Sequence, residues 1–135
     1  MEAYLATNTF LADINNEIPD MHNTTYAKNF ATLNNLVLVV FSKDITVVPK
    51  ESSWFGSYAP SDGKFPGDRT IIPMRMQELY VDDTIGLKEL DERGRVLLET
   101  CEGAHMQLKD ECWRPLVEEF VGGAVHKTPT LRIQV

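Results

Sequence analysis

The 135-residue sequence has few cysteines and few basic residues, which excludes several classes of protein. It contains two cysteines, Cys101 and Cys112, which are too few for a disulfide scaffold and do not indicate the redox compartment. Basic residues are also scarce, with 13 Lys and Arg against 20 Asp and Glu, and they form no basic stripe. The net charge of -7 therefore argues against nucleic acid and against an anionic membrane as partners.

Long apolar runs are missing as well. No stretch approaches the roughly 20 apolar residues that a membrane-spanning helix needs, so no transmembrane segment is expected. The first residues carry Glu2 and Asp13 but no Lys or Arg, so no signal peptide is expected within this chain. With 43% hydrophobic residues, the chain has the material for the core of one domain.

The most informative segment is the uninterrupted apolar run Leu36–Phe41. A short run of this kind predicts a strand buried on both faces, as inside a parallel sheet covered by helices. A helical pattern begins at Thr24, with Asn23 or Thr24 as its cap, and a second strand is predicted over residues 95–100. Helix, tight turn and apolar strand are parts of a βαβ unit, so the sequence predicts an α/β fold.

Between the two strands, the pattern is weaker. Residues 49–73 are rich in Pro, Gly, Ser and Asp, which predicts a long loop of a kind that is often functional. Trp54 and Phe55 either anchor this loop or line a pocket, and anchoring is the commoner role. Residues 75–81 are predicted to form a short strand or an irregular segment, and residues 84–90 a short helix.

The last predicted helix carries an apolar stripe that runs from Cys112 to Val121. Pro115 interrupts the stripe, so that the helix either begins near Arg114 or is kinked at the proline. Residues 124–135 are predicted to form a C-terminal tail.

Each predicted strand is followed by one polar residue that can carry chemistry, Asp44 after the first and His105 after the second. Because the carboxyl ends of parallel strands share one edge of a sheet, the two side chains are expected on the same rim. A carboxylate followed in the chain by a histidine has the order of the last two members of an α/β-hydrolase triad. Taken singly, Asp44 fits a turn or cap residue and His105 a loop histidine.

A nucleophile to go with this pair is not found, since the pattern G-x-S-x-G occurs nowhere. Cys101 precedes His105 by four residues, but a Cys at the end of a buried strand is usually a small core residue. The sequence gives equally little reason to expect a zinc site. Cys101, His105 and Cys112 lack a second pair of ligands, and His22 and His126 are far away in the sequence. No metal and no cofactor are expected.

A set of short motifs extends over roughly residues 4 to 121. Besides the strand that precedes Asp44, they are FLADIN (10–15), WFG (54–56), IP (72–73), LY (79–80), GLKE (86–89) and EG-x-H-x-QL (102–108). In this order and spacing, they resemble the C-terminal part of the palmitoyl-protein thioesterases. These are lysosomal serine hydrolases that remove thioester-linked fatty acyl groups from cysteine.

The resemblance implies the C-terminal portion of an α/β-hydrolase fold, with a parallel sheet covered by helices. It implies that residues 1–123 are part of one such domain and that residues 124–135 are a tail without a counterpart. It assigns Asp44 and His105 to the acid and base of a Ser-Asp-His triad, and places the serine in a missing N-terminal half of the domain. A palmitoylated protein or peptide as substrate and a lysosomal or secreted location are implied with it.

Asn23 begins an N-glycosylation acceptor pattern, which fits a secretory-pathway protein. Two functional interpretations are open: a fragment of a working hydrolase, inactive alone because it lacks the serine, or a truncated inactive product that acts as a binding protein. A two-strand piece of a parallel sheet exposes surfaces that other segments should bury, which favours the fragment. A third interpretation, a self-contained fold unrelated to hydrolases, would place Asp44 and His105 far apart.

Overall fold

The computed structural model describes residues 2–8, 10–18, 20–60 and 69–121. Its elements are α1 (Glu2–Thr7), α2 (Leu11–Ile14), α3 (Thr24–Ala31), β1 (Leu36–Phe41), β2 (Ser57–Tyr58), β3 (Ile71–Ile72), α4 (Glu78–Val81), α5 (Leu87–Glu92), β4 (Val96–Cys101) and α6 (Asp110–Phe120). Single 3-10 turns cover Lys50–Trp54 and Met74–Met76. None of the helices in these residues is long and apolar enough to cross a membrane.

The centre of the fold is the parallel pair β1 and β4. Their register runs from Leu36 opposite Val96 to Phe41 opposite Cys101. The predicted first strand is therefore confirmed, and the second is confirmed with a shift of one residue toward the C-terminus. A parallel pair requires a crossover connection, and α4 and α5 lie within the segment that joins the two strands.

Side chains of β1 alternate between two layers, because successive strand residues point to opposite faces. Leu36 and Leu38 pack against a core cluster that consists of Met74, Tyr80 and Leu87. On the opposite face, a groove of about 400 Å³ lies between the strand and α6, and its lining includes Val37, Val39, Phe41, Leu116 and Phe120.

The prediction that the first strand is buried on both faces is wrong. Only Val40 and Phe41 are buried, and the first four residues of the strand are partly buried. Within the described residues, β1 has a neighbouring strand on one side alone, and one of its faces opens onto the groove.

Helix α3 starts where the sequence predicts, with Asn23 as its cap. Oδ1 of Asn23 accepts a hydrogen bond from the backbone N–H of Thr25 at 2.9 Å, which satisfies one free donor of the first turn. The buried side chain of Asn16 holds this entry to the helix, because its Nδ2 donates to the carbonyls of Asn23 and Thr84. Asn16 has a structural role that the sequence did not reveal.

Two predictions on the connections need correction, and the structure decides between the two alternatives for the last helix. Residues 75–81 form a 3-10 turn followed by α4, not a strand, because Tyr80 turns inward and donates to Asp91 at 2.7 Å. The long loop contains a 3-10 helix and the antiparallel pair of β2 and β3, and its residues 61–68 lie outside the described part. Of the two alternatives for the last helix, the start near Arg114 is wrong, because α6 begins at Asp110 and contains Pro115.

Gly86 lets α5 approach α3 closely. Its φ is +81°, and a Cβ at this position would lie 2.3 Å from the carbonyl oxygen of Ala27. We expect Gly86→Ala to lower the free energy of unfolding in urea by about 2 to 4 kcal/mol. Gly94→Ala is the matched control, because its φ is +69° but nothing lies within 4 Å, so that only the backbone strain remains. Equal losses in the two variants would contradict the close approach.

Candidate active site

Parallel pairing continues past the ends of β1 and β4 and brings two loops together. The N–H of Ser42 donates to the carbonyl of Cys101, and the N–H of Lys43 donates to the carbonyl of Gly103, each at 2.9 Å. Asp44 is the next residue on one chain segment, and His105 follows shortly on the other. The register of the strands thus decides which side chains meet at this rim.

Asp44 and His105 are in direct contact. Nδ1 of His105 lies 2.8 Å from Oδ2 of Asp44. The Asp44 side chain is 2% exposed, whereas that of His105 is 38% exposed. The expected proximity of the two residues is confirmed, and the alternative of an unrelated fold that separates them is wrong.

The second carboxylate oxygen of Asp44 is held by backbone groups. Oδ1 accepts from the N–H of Thr46 at 2.9 Å and from the N–H of Val47 at 3.1 Å. The hydrogen bond from His105 lowers the pKa of Asp44, and the two backbone bonds lower it further, against the opposing effect of burial. Asp44 is therefore a fixed anion at neutral pH.

The charge of Asp44 sets the tautomer of His105. An ionised carboxylate only accepts hydrogen bonds, so Nδ1 of the neutral imidazole must carry the proton. Nε2 is then left with its lone pair, and it takes part in no hydrogen bond within the described residues. This arrangement leaves a base at the partly exposed end of the ring.

A tight turn presents the His105 ring. The side chain of Gln107 accepts from the N–H of Ala104 at 3.0 Å, and the N–H of Gln107 donates to the carbonyl of Ala104. Gly103 has a φ of +146°, and a Cβ there would lie 3.0 Å from Oε1 of Gln107. Phe41 contacts the His105 ring edge-on, with centroids 6.4 Å apart.

Glu102 links the two loops beside this pair. Its carboxylate accepts from Oγ of Ser42 at 2.6 Å and pairs with Nζ of Lys43 at 2.7 Å. Oγ of Ser42 in turn accepts from the N–H of Gly103 at 3.3 Å. The bond to Lys43 lowers the pKa of Glu102, which keeps the exposed link charged at neutral pH.

Cys101 and Cys112 form a disulfide, with Cα atoms 5.4 Å apart. Sequence reasoning missed this pairing, and its one available signal was the short spacing of 11 residues. Cys101 is buried, as expected, but it offers no thiol for nucleophilic attack. Among the residues that the structure describes, no group of three or more His, Cys, Asp and Glu could hold a metal ion.

Trp54 and Phe55 have anchoring positions. Nε1 of Trp54 donates to the carbonyl of Leu38 at 3.0 Å and contacts that of Glu99 at 3.3 Å, which ties the loop to both strands. Phe55 packs against the core cluster. The anchoring role was the one favoured from the sequence.

The low pKa of Asp44 predicts how stability depends on pH. A carboxyl group whose pKa is lower in the folded state stabilises the fold above its unfolded pKa of about 3.9, and the contribution is lost as pH falls through the folded value. The difference in urea midpoint between the unchanged chain and Asp44→Asn should therefore shrink as pH falls from about 6 to about 2.5. A difference in urea midpoint that stays constant over this range would show that folding does not lower the pKa of Asp44.

The fold and the paired Asp and His define a class. Two parallel strands covered by helices, with a carboxylate and a histidine after their carboxyl ends, match the C-terminal portion of an α/β-hydrolase. A family model described as palmitoyl protein thioesterase matches residues 1–105. The chain belongs to the palmitoyl-protein thioesterase family.

Curated relatives agree with this placement. Palmitoyl-protein thioesterase 1 of Caenorhabditis elegans is 48% identical over 108 residues, which are 80% of this chain and 34% of that protein. Palmitoyl-protein thioesterase 3 of Dictyostelium discoideum is 39% identical over 122 residues, 89% of this chain and 40% of that protein. Lysosomal thioesterase PPT2 of Homo sapiens is 34% identical over 96 residues, 71% of this chain and 30% of that protein. The chain thus spans less than half the length of these relatives.

Proposed function

We propose that this chain supplies the acid and the base of a Ser-Asp-His triad in a palmitoyl-protein thioesterase. The complete enzyme hydrolyses thioester-linked fatty acyl groups on S-acylated cysteines of proteins or peptides. The observation that carries the proposal is the 2.8 Å bond between buried Asp44 and half-exposed His105, which leaves Nε2 as a base. The serine comes from an N-terminal half of the hydrolase domain, so the chain alone is inactive.

The mechanism follows from the geometry of this pair. Nε2 of His105 takes the proton of the serine as its oxygen attacks the thioester carbonyl. Asp44 holds the ring in the required tautomer and stabilises the imidazolium that forms. The tetrahedral intermediate then expels a cysteine thiolate, whose conjugate acid has a pKa of about 8.5. This leaving group needs little acid assistance, so base catalysis by His105 matters more than acid catalysis in acylation.

Water completes the cycle. Once the imidazolium has passed its proton to the expelled cysteine thiolate, water attacks the acyl-serine while Nε2 of His105 takes the water proton, and this proton passes to the serine oxygen as the fatty acid leaves. The same nitrogen therefore acts in both halves of the reaction.

The open side of the sheet supports a larger catalytic domain. In the described residues, β1 pairs with a strand along one of its two edges. One of its two faces borders the groove beside α6. A parallel sheet needs cover on both faces, and an unpaired edge invites another strand. We propose that further segments of the hydrolase domain occupy these surfaces. The alternative function, an inactive binding protein, would use the same surfaces for a partner.

A chimera tests the proposed function. This chain replaces the matching segment of the Caenorhabditis elegans relative, and turnover of a palmitoyl thioester is measured for the chimera and for the isolated chain. The chimera should hydrolyse the thioester, and the isolated chain should give no turnover. A folded chimera without activity, or turnover by the isolated chain, would contradict the proposal.

We also propose that Asn23 carries an N-linked glycan and that the protein is lysosomal or secreted. Oδ1 of Asn23 caps α3, while its Nδ2, the atom to which a glycan attaches, makes no hydrogen bond within the described residues. The disulfide fits an oxidising compartment.

Expression behind a secretory leader tests the glycan. The chain should shift in mass on enzymatic deglycosylation, and Thr25→Ala should abolish the shift because it removes the acceptor pattern but keeps the Asn23 cap. A mass that does not change in the unaltered chain would show that Asn23 carries no glycan.

A further inference from the structure

Helix α6 is held weakly by side-chain packing. None of its residues is buried, and the groove of about 400 Å³ separates much of its apolar side from β1. Trp113 and Val117 remain 38% and 39% exposed. The contacts of α6 with the sheet therefore do little to fix its position.

The disulfide connects this helix to the buried end of β4. Cys101 is the last residue of β4, is 1% exposed, and lies opposite Phe41 in the parallel register. Cys112 lies in the first turn of α6. The crosslink joins residues 11 apart, and His105 lies in the segment that it closes.

Among the described residues, and apart from the contact of His105 with Asp44, the His105 segment is hydrogen-bonded to the sheet only on the side of β4. Toward β4, the N–H of Gly103 donates to Ser42 and Glu102 contacts Lys43. After Gln107, the described residues up to α6 are exposed. Without the crosslink, this second half of the segment would end in a helix that packing does not fix.

We propose that the Cys101–Cys112 disulfide positions His105 against Asp44. By closing the segment, it restricts the conformations available to the His105 turn, so that the ring keeps its contact with Oδ2 of Asp44. The crosslink acts through His105 and contacts no substrate. Its catalytic meaning rests on the proposed function, but the positioning itself is a property of this chain.

Ring nitrogen shifts of His105, measured by NMR on the full chain, test this proposal. The shifts are recorded at a pH at which the spectra show a neutral ring, so that they report which nitrogen carries the proton. The unaltered chain should show His105 with the proton on Nδ1. Cys112→Ala removes the crosslink at its less buried end, and we expect His105 to become a mixture of both tautomers. Amide exchange over residues 103–111 should also accelerate by about tenfold or more.

Arg114→Ala is the matched control. Arg114 also lies on α6, and its one side-chain partner among the described residues is Asp110, in an exposed ion pair, so its removal should leave the His105 signals unchanged. Unchanged His105 signals in folded Cys112→Ala would overturn the proposal. Loss of the β1 and β4 signals together with those of His105 would overturn it too, because the crosslink would then support the whole fold. Neither readout uses activity, so an inactive chimera would leave this result standing.

Discussion

Replacing His105 by alanine in the chimera should lower kcat/KM for a palmitoyl thioester by about 10⁴ to 10⁶-fold. The reason is that Nε2 of His105 is the base for both the attacking serine and the attacking water. Rapid-mixing kinetics should show that the acylation burst and the later deacylation are both slowed. Loss of activity with unchanged binding of a thioester analogue would place the defect in the chemical steps.

His22→Ala is the control for this variant. His22 is exposed and lies beside α3 and α5. It takes no part in the contact of Asp44 with His105, so activity should stay close to that of the unaltered chimera. If acylation collapsed in His105→Ala while deacylation kept its rate, His105 would not be the shared base.

Asp44→Asn should lower kcat by about 10⁴-fold and leave KM nearly unchanged. The amide keeps the shape of the carboxylate, but it removes the charge that stabilises the imidazolium. It also allows its NH₂ group to donate to Nδ1, which moves the ring proton to Nε2 and occupies the base. Steady-state kinetics over a range of thioester concentrations separate this effect from weaker binding.

Asp91→Asn is a matched control, because Asp91 is also a little-exposed carboxylate in a hydrogen-bonded pair. It accepts from Arg75 and Tyr80, away from the His105 turn, and fastens the segment before α4 to α5. This variant should unfold more easily, but its folded fraction should keep its kcat. A loss of kcat as large as that of Asp44→Asn would show that any buried-carboxylate defect suffices, and would contradict the specific role of Asp44.

The bounds of the strand that leads to the site could be predicted, because its apolar run is short and rich in β-branched residues. That Asp44 and His105 share a rim also followed from the two predicted parallel strands, whereas their pairing was implied by the family resemblance. The register in which Phe41 lies opposite Cys101 explains why these two side chains, and not their neighbours, meet.

Other features depend on tertiary contacts that local patterns do not encode. Tyr80 and Val81 favour a strand by propensity, but the hydrogen bond of Tyr80 to Asp91 and its burial favour a helix. The disulfide depends on where α6 begins, which the sequence left open between a start near Arg114 and a helix that is kinked at Pro115. Residues of β1 that are only partly buried are predicted as buried, because an apolar sequence does not show which segment covers it.

Covalent labelling of the chimera's serine by a fluorophosphonate tests the central claim most directly. The reaction needs an activated serine but no particular acyl chain or protein substrate, so it isolates the contribution of Asp44 and His105. We expect rapid labelling in the unaltered chimera and labelling slower by about 10³-fold or more in His105→Ala. Equal labelling rates in the two proteins would show that this chain does not supply the base of the triad.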